Sequence, residues 1–202
     1  MNIETLHLKC SGYIECRSKF YTAYDIISKN DGFTFVKGLN MLNDDIDSGI
    51  WAASYILSMF CEKREAFVMF DNAIVIVNNS PVELEDILKL SCYMDDIYSL
   101  FSSKKTVDEL LKEGISTSNS HYTIEELKIM FCLSDDRCRR TISQTGNESF
   151  RAMAAIGLAY NKEIFCFPWL SRKRFERFES NLTFTIEKLS ELEKMIILPI
   201  GK

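Results

Sequence analysis

At 202 residues, 47% of them apolar and 26% charged, the chain can bury a full core as one domain without disulfide or metal staples, and disorder is excluded as its main state. A net charge of −5 excludes a global basic face for nucleic acid. Apolar runs such as AIVIV and IFCFPWL fall far short of the roughly 20 residues that span a bilayer, so membrane contact is expected only through a partner chain. The opening MNIETLHLKC has no basic n-region and no apolar h-region, and the expected location is cytoplasmic, at most peripheral to the inner face of the membrane. The seven cysteines contain no CxxC and stand beside only two histidines, so reduced thiols are expected and no metal site.

In chain order, TLHLKC and the stretch Tyr13–Cys16 read as an opening hairpin. GFTFVKG follows, a short apolar run closed by Gly38, which suits a buried strand. LNMLNDDID reads as a polar turn, and SGIWAASYILSMF as a buried helix. AFVMF and AIVIV are two strands split by the turn pair Asp71-Asn72. Pro81 predicts the start of a helix through VELEDILKL, and a strand then reaches Tyr93 and Met94. Thr106 with Glu109 predicts a capping box for TVDELLKEG, with Gly114 as its stop. HYTIEELKIMFCLSDDRCRR gives two short helical pieces, and ESFRAMAAIGLAY a small-residue helix. EIFCF is a buried strand. Phe175, Phe178, Leu182, Ile186, Leu189 and Leu192 recur at spacings of three and four, the stripe of a long helix, and MIILPI is a last apolar strand. Strands alternating with helices imply a largely parallel sheet with helices on its faces.

This order resembles the ATP-binding domain of ABC transporters over nearly the whole chain. ISQTGNESFRAMAAIGLAYNKEIFCFPWLS is similar to the family's signature, signature helix and Walker B strand in one block, with Thr145, Gly146, Asn147 and Glu148 standing where SGGQ would be. KMIILPIGK has the form of the run that leads to the switch histidine. The resemblance implies a P-loop NTPase-like, three-layer α/β fold with an antiparallel N-terminal β part. It implies one domain over residues 1–202, with a helical subdomain at about 97–145.

The residues that carry the family's chemistry are replaced. The phosphate loop should read G-x-x-x-x-G-K-[ST]. Gly38 fits the first glycine, but Asn40, Asn43, Asp44 and Asp45 follow it, the next glycine is Gly49, and no lysine is present. The loop is also one or two residues too long. Acids there oppose a triphosphate: two like charges roughly 4 Å apart repel by about 4 kcal/mol at an effective dielectric near 20. The magnesium-linked aspartate maps to Pro168, the catalytic glutamate to Trp169, the switch histidine to Gly201, and the glutamine to Asp95 or Asp96. Neither Pro168 nor Trp169 activates water or holds a metal.

The resemblance therefore implies a non-catalytic subunit without ATP or Mg²⁺ as cofactor, acting through an ABC-type dimer partner and a transporter membrane subunit. The alternative is a subunit with residual ATP binding or weak hydrolysis in a composite dimer site, with Thr145 and Gly146 supplying half of it. The Asp44, Asp45, Asp47 cluster reads as a solvated loop before a helix, where acids suit the dipole. Arg172, Lys173, Arg174 and Arg177 run against the dipole of the long helix and read as a solvated face or, more sharply, as a docking face for an acidic partner surface.

Overall fold

The computed structural model describes residues 2–9, 12–15, 24–26, 33–43, 67–70, 74–95, 103–168 and 170–201. Its N-terminal part is antiparallel. Strand β1 (Thr5–Lys9) lies between β4 (Phe33–Val36) and β7 (Ile74–Val77), and β8 (Ser80–Val82) closes that sheet. A second antiparallel sheet runs β3 (Tyr24–Ile26), β2 (Gly12–Glu15), β6 (Phe67–Phe70). The expected opening hairpin is thus not one, because β1 and β2 belong to different sheets, and so do β6 and β7. Short strand-like runs identified these segments, but the choice of neighbour rests on pairings distant in sequence, such as Leu6 with Phe35 and with Val77.

The core sheet is parallel, in the order β5 (Gly38–Asn43), β11 (Met195–Ile200), β10 (Ile164–Cys166), β9 (Ser91–Tyr93). Every residue of β9, β10 and β11 is buried, as expected of parallel strands covered on both faces. LNMLN, expected as a turn, lies within β5: six consecutive residues pair with β11, from Gly38 against Met195 to Asn43 against Ile200. Asparagine is a poor strand residue, but the Asn40 side chain is used locally. Its amide nitrogen donates to the carbonyls of Val36 (2.7 Å), Gly38 and Ile196 (both 3.1 Å), and its oxygen accepts from the Val36 N–H at 3.0 Å. That side chain fastens β4 to β5 where the chain leaves one sheet for the other. Gly38 makes the turn at φ 89°, a conformation that glycine alone adopts without strain.

Helix α1 (Leu84–Leu90) begins after Glu83, so Pro81 is a strand residue of β8, opposite Ile76, and not the helix start. Helix α2 (Val107–Ser118) opens with the expected capping box: Thr106 Oγ1 accepts from the Glu109 N–H, and the Thr106 N–H donates to Glu109 Oε2 at 2.7 Å. Gly114 does not stop it. It is buried mid-helix, where an added Cβ would meet the Tyr160 ring at 2.6 Å, and Asn119 at φ 49° ends the helix instead. Helices α3 (Ile124–Met130) and α4 (Asp135–Cys138) follow, and Thr123 with Glu126 repeats the capping box for α3.

Helix α5 (Ser149–Ala159) buries nearly all of its residues, and its alanines and Gly157 let it lie close to both α2 and the sheet. A Cβ at Gly157 would come within 2.6 Å of the Phe165 ring on β10. The long helix α6 (Arg172–Glu191) turns Leu182, Thr185 and Leu189 fully inward, with Phe175, Phe178 and Ile186 packed at the margin of the core. Each such buried aliphatic side chain contributes about 1.5–3 kcal/mol of hydrophobic stabilisation. Together these elements form an α/β fold in which antiparallel N-terminal strands stand beside a parallel sheet covered by helices. No helix among the described residues is long and apolar enough to cross a membrane.

Candidate functional site

The four parallel strands end on one edge, at Asn43, Ile200, Cys166 and Tyr93. Ligands of open α/β sheets bind outside this carboxyl edge, where chain ends, helix starts and free backbone groups converge. Among the described residues, those just past the strands are Met94, Phe167, Pro168, Leu170 and Gly201, all buried, and Asp95, a half-buried carboxylate whose N–H donates to Tyr93 O at 2.9 Å. Their backbone donors are also engaged. The Met94 N–H donates to Cys166 O at 2.7 Å, Phe167 to Ile197 O at 2.8 Å, Leu170 to Pro199 O at 3.1 Å, and Gly201 to Leu170 O at 2.8 Å. Leu170 pairs with Ile200 in parallel, so this segment continues the sheet beyond β10. Phe167 meets Phe150 of α5 at 5.7 Å between ring centroids, and Phe150 meets Phe178 of α6 edge-on at 6.0 Å. An anion needs N–H groups aimed at it, and a metal needs oxygen or nitrogen ligands. The five buried residues provide neither, and their partnered amides do not point at an empty site.

The sequence-expected residues separate into three places. Gly38 and Asn40 lie at the amino end and in the middle of β5, away from the edge, because β5 and not Phe33–Val36 is the strand that enters the parallel sheet. Asn43 ends that strand, and Asp44 and Asp45 lie outside the described residues, as do Asp96 and Trp169. Pro168 and Gly201 both stand at the carboxyl edge.

The placement of β5 changes how the following sequence is read. Residues 44–51, DDIDSGIW, follow β5 directly and have the eight-residue length of G-x-x-x-x-G-K-[ST], with glycine only at the sixth place, Gly49, and no lysine. The sequence reading started the motif at Gly38 and so found it too long. The missing signal was the extent of the strand, which polar LNMLN conceals.

Thr145, Gly146, Asn147 and Glu148 form a third place, at the amino end of α5. Thr145 is fully buried, and its hydroxyl donates to Ile142 O at 2.6 Å. Its carbonyl accepts from the Arg137 guanidinium, which packs where a side chain on Gly146 would stand. The Glu148 carboxylate accepts from the Ser134 N–H and hydroxyl, both at 3.1 Å, and so holds the start of α4. Gly146 and Asn147 are exposed. Arg137 and Ser134, which position this segment, were not singled out in the sequence, because a contact eight or fourteen residues away leaves no periodic trace.

An open cleft of about 720 Å³ lies between the amino ends of α2 and α3, lined by Asp108, Glu109, Lys112, Glu125 and Lys128 among others. Its charges are largely structural: Lys128 lies 2.9 Å from Asp108 and 3.1 Å from Asp135, and Glu109 belongs to the α2 cap. Beneath it, burial pushes the Cys138 thiol up to about 11, which keeps it protonated and unreactive at neutral pH.

No protein-family model matches the sequence, and no curated protein does. Solved structures do match. An ABC transporter ATP-binding protein from Pyrococcus furiosus is 13% identical, with a TM-score of 0.58 over 98% of this chain and 90% of that one. A nucleotide-free ATP-binding cassette from an ABC transporter is 12% identical, with a TM-score of 0.58 over 98% and 81%. A bacterial ABC transporter cassette solved as a dimer is 13% identical, with a TM-score of 0.55 over 96% and 87%. Likeness at such low identity speaks for the fold alone, and by that measure this chain has the fold of an ABC transporter ATP-binding cassette.

Proposed function

We propose that this chain is a non-catalytic cassette subunit that acts by protein contact and does not turn over ATP. The observation that carries the reading is the carboxyl edge of the parallel sheet. Among the described residues, Met94, Phe167, Pro168, Leu170 and Gly201 line it with apolar groups and partnered amides, and Asp95 is the one carboxylate beside them. An ATPase of this fold needs an acid, a base and free donors at such an edge. The segment after β5 supports the same reading, because it opens on acids and holds no lysine. The apolar edge residues offer Mg²⁺ no ligand, and the acids after β5 oppose a triphosphate.

The fold retains what an interaction subunit requires: a packed core, and an exposed Gly146-Asn147 segment braced by Arg137 and Glu148. In this reading the partners are an ABC-type dimer partner and a transporter membrane subunit, and contact with the membrane is made through them. The test is phosphate release from MgATP by the purified chain, which is expected to stay at the background of buffer alone. Release above background that disappears on adding EDTA would overturn the assignment.

A second reading, residual nucleotide binding in a composite site, draws on one observation. Gly146 and Asn147 are exposed at the start of an 11-residue helix whose first turn carries no acidic residue. It predicts that nucleotide is retained only when an active cassette is mixed with this chain, and that a Gly146→Asp variant abolishes the retention.

A further inference from the structure

The start of α6 carries Arg172, Lys173, Arg174 and Arg177 in a chain whose net charge is −5. Arg172 pairs with Glu176 at 3.1 Å. Lys173, Arg174 and Arg177 are exposed, and among the described residues no carboxylate pairs with any of them. Helical spacing puts Arg177 beside both Lys173 and Arg174. With Ser171 and Phe178 the three cations line a groove of about 430 Å³. Phe178 gives the groove an apolar wall, with the Arg177 guanidinium 5.7 Å from its ring centroid. On its other side the Phe178 ring packs against Phe150 and, through it, reaches Phe167 at the carboxyl edge.

This arrangement opposes helix stability twice over. Cations near the amino end of a helix are repelled by its dipole, and like charges three or four residues apart repel one another. Glu176 offsets Arg172, but among the described residues no carboxylate pairs with Lys173, Arg174 or Arg177. A ligand that brings carboxylates would compensate, and one that also brings an apolar side chain would use the Phe178 wall. A nucleic acid fits less well, because it needs an extended basic track and this patch is short on an acidic chain.

We infer that the groove formed by Lys173, Arg174, Arg177 and Phe178 docks an acidic segment of a partner protein, its carboxylates on the three cations and one apolar side chain against Phe178. The inference rests on the protein-contact reading above. Its test uses no nucleotide, so either can fail alone.

The probe is a fluorescein-labelled peptide of glutamates flanking a central phenylalanine, followed by anisotropy. Its lysine counterpart and an oligothymidylate of equal length serve as comparisons. The acidic peptide is expected to bind saturably, more tightly at low salt, and the double variant K173E/R177E to weaken it by at least about tenfold. The same variant is expected to melt no lower than the parent, because acids suit the amino end of a helix. Three results would overturn the inference: no saturable binding of the peptide, binding untouched by the charge reversal, or oligothymidylate binding more tightly with the same sensitivity. A fall in melting temperature on charge reversal would do so too, since it would make the cations structural.

Discussion

Placing a carboxylate at the family's metal-linked position probes the carboxyl edge directly. Pro168 is buried, as are Phe167 before it and Leu170 two residues on. In Pro168→Asp the new group enters an apolar setting. Full burial raises a carboxyl pKa by up to about 3–5 units, and each unit corresponds to about 1.36 kcal/mol. With an unfolded pKa near 3.9 the cost at pH 7 is therefore about 4 kcal/mol, a large part of the roughly 5–15 kcal/mol that holds a domain folded. Pro168→Asn provides the reference, because it changes the ring and the backbone without adding charge.

The sign with pH follows from the raised folded pKa. The loss is absent below the unfolded value near 3.9, grows as pH rises towards the folded value, and is constant above it. Urea denaturation of both variants between acid and neutral pH measures the gap, which is expected to open with pH. A gap under about 1 kcal/mol at pH 7 would refute the reasoning, because the position would then be wet. A rise in the aspartate variant's midpoint with Mg²⁺ would refute it as well, because the edge would then be able to take a metal.

Other consequences concern the packing around that edge. Thr106→Ala is expected to cost about 1 kcal/mol through loss of the α2 cap, read from the denaturation midpoint. Backbone and side-chain hydrogen bonds from Thr106 hold the Glu109 carboxyl below its ordinary range, so its contribution is present above the unfolded pKa and lost as pH falls through the folded one. The variant's acid limb is expected to be flatter. Gly157→Ala forces a methyl into the Phe165 ring, and overpacking of about 1–3 kcal/mol outweighs the helix-propensity gain of up to about 1 kcal/mol, so the melting temperature falls. Burial lowers the pKa of the Lys128 ammonium, but Asp108 and Asp135 more than offset this and the net shift is upward. Its contribution is thus complete below the unfolded lysine pKa and lost as pH rises through the folded one. Lys128→Met is expected to cost about 1.5–3 kcal/mol at neutral pH and to flatten the alkaline limb of the stability curve.

The parts of this fold that were legible in the sequence are those with local signals. The Thr106 capping box, the apolar stripe of α6 and the all-apolar MIILPI each mark their element within a few residues. Where a long-range contact decides, the sequence misleads. LNMLN carries turn residues, yet it is a strand because β11 pairs with it along its whole length and Asn40 bonds to the backbone of its neighbours. Gly114 has the look of a helix stop, but it is a packing glycine under Tyr160. Pro81 resembles a helix start, yet it sits on an outer strand, where a missing N–H is tolerated. The displaced end of β5 carried over to the site, because it moved the start of the motif frame from Gly38 to Asp44. Pro168 and Gly201 were easier to place in the fold, because each follows a strand of unbroken apolar sequence that itself locates the edge.

The most direct measurement on the central claim is the melting temperature of the purified chain with and without millimolar MgATP. A ligand at 100 times its dissociation constant adds about 2.7 kcal/mol. In a chain of this length that corresponds to a rise of roughly 5–11 °C. The proposed non-catalytic reading, with no lysine in the segment after β5, predicts no shift. A saturable rise of that size, absent with ATP lacking Mg²⁺, would contradict the account.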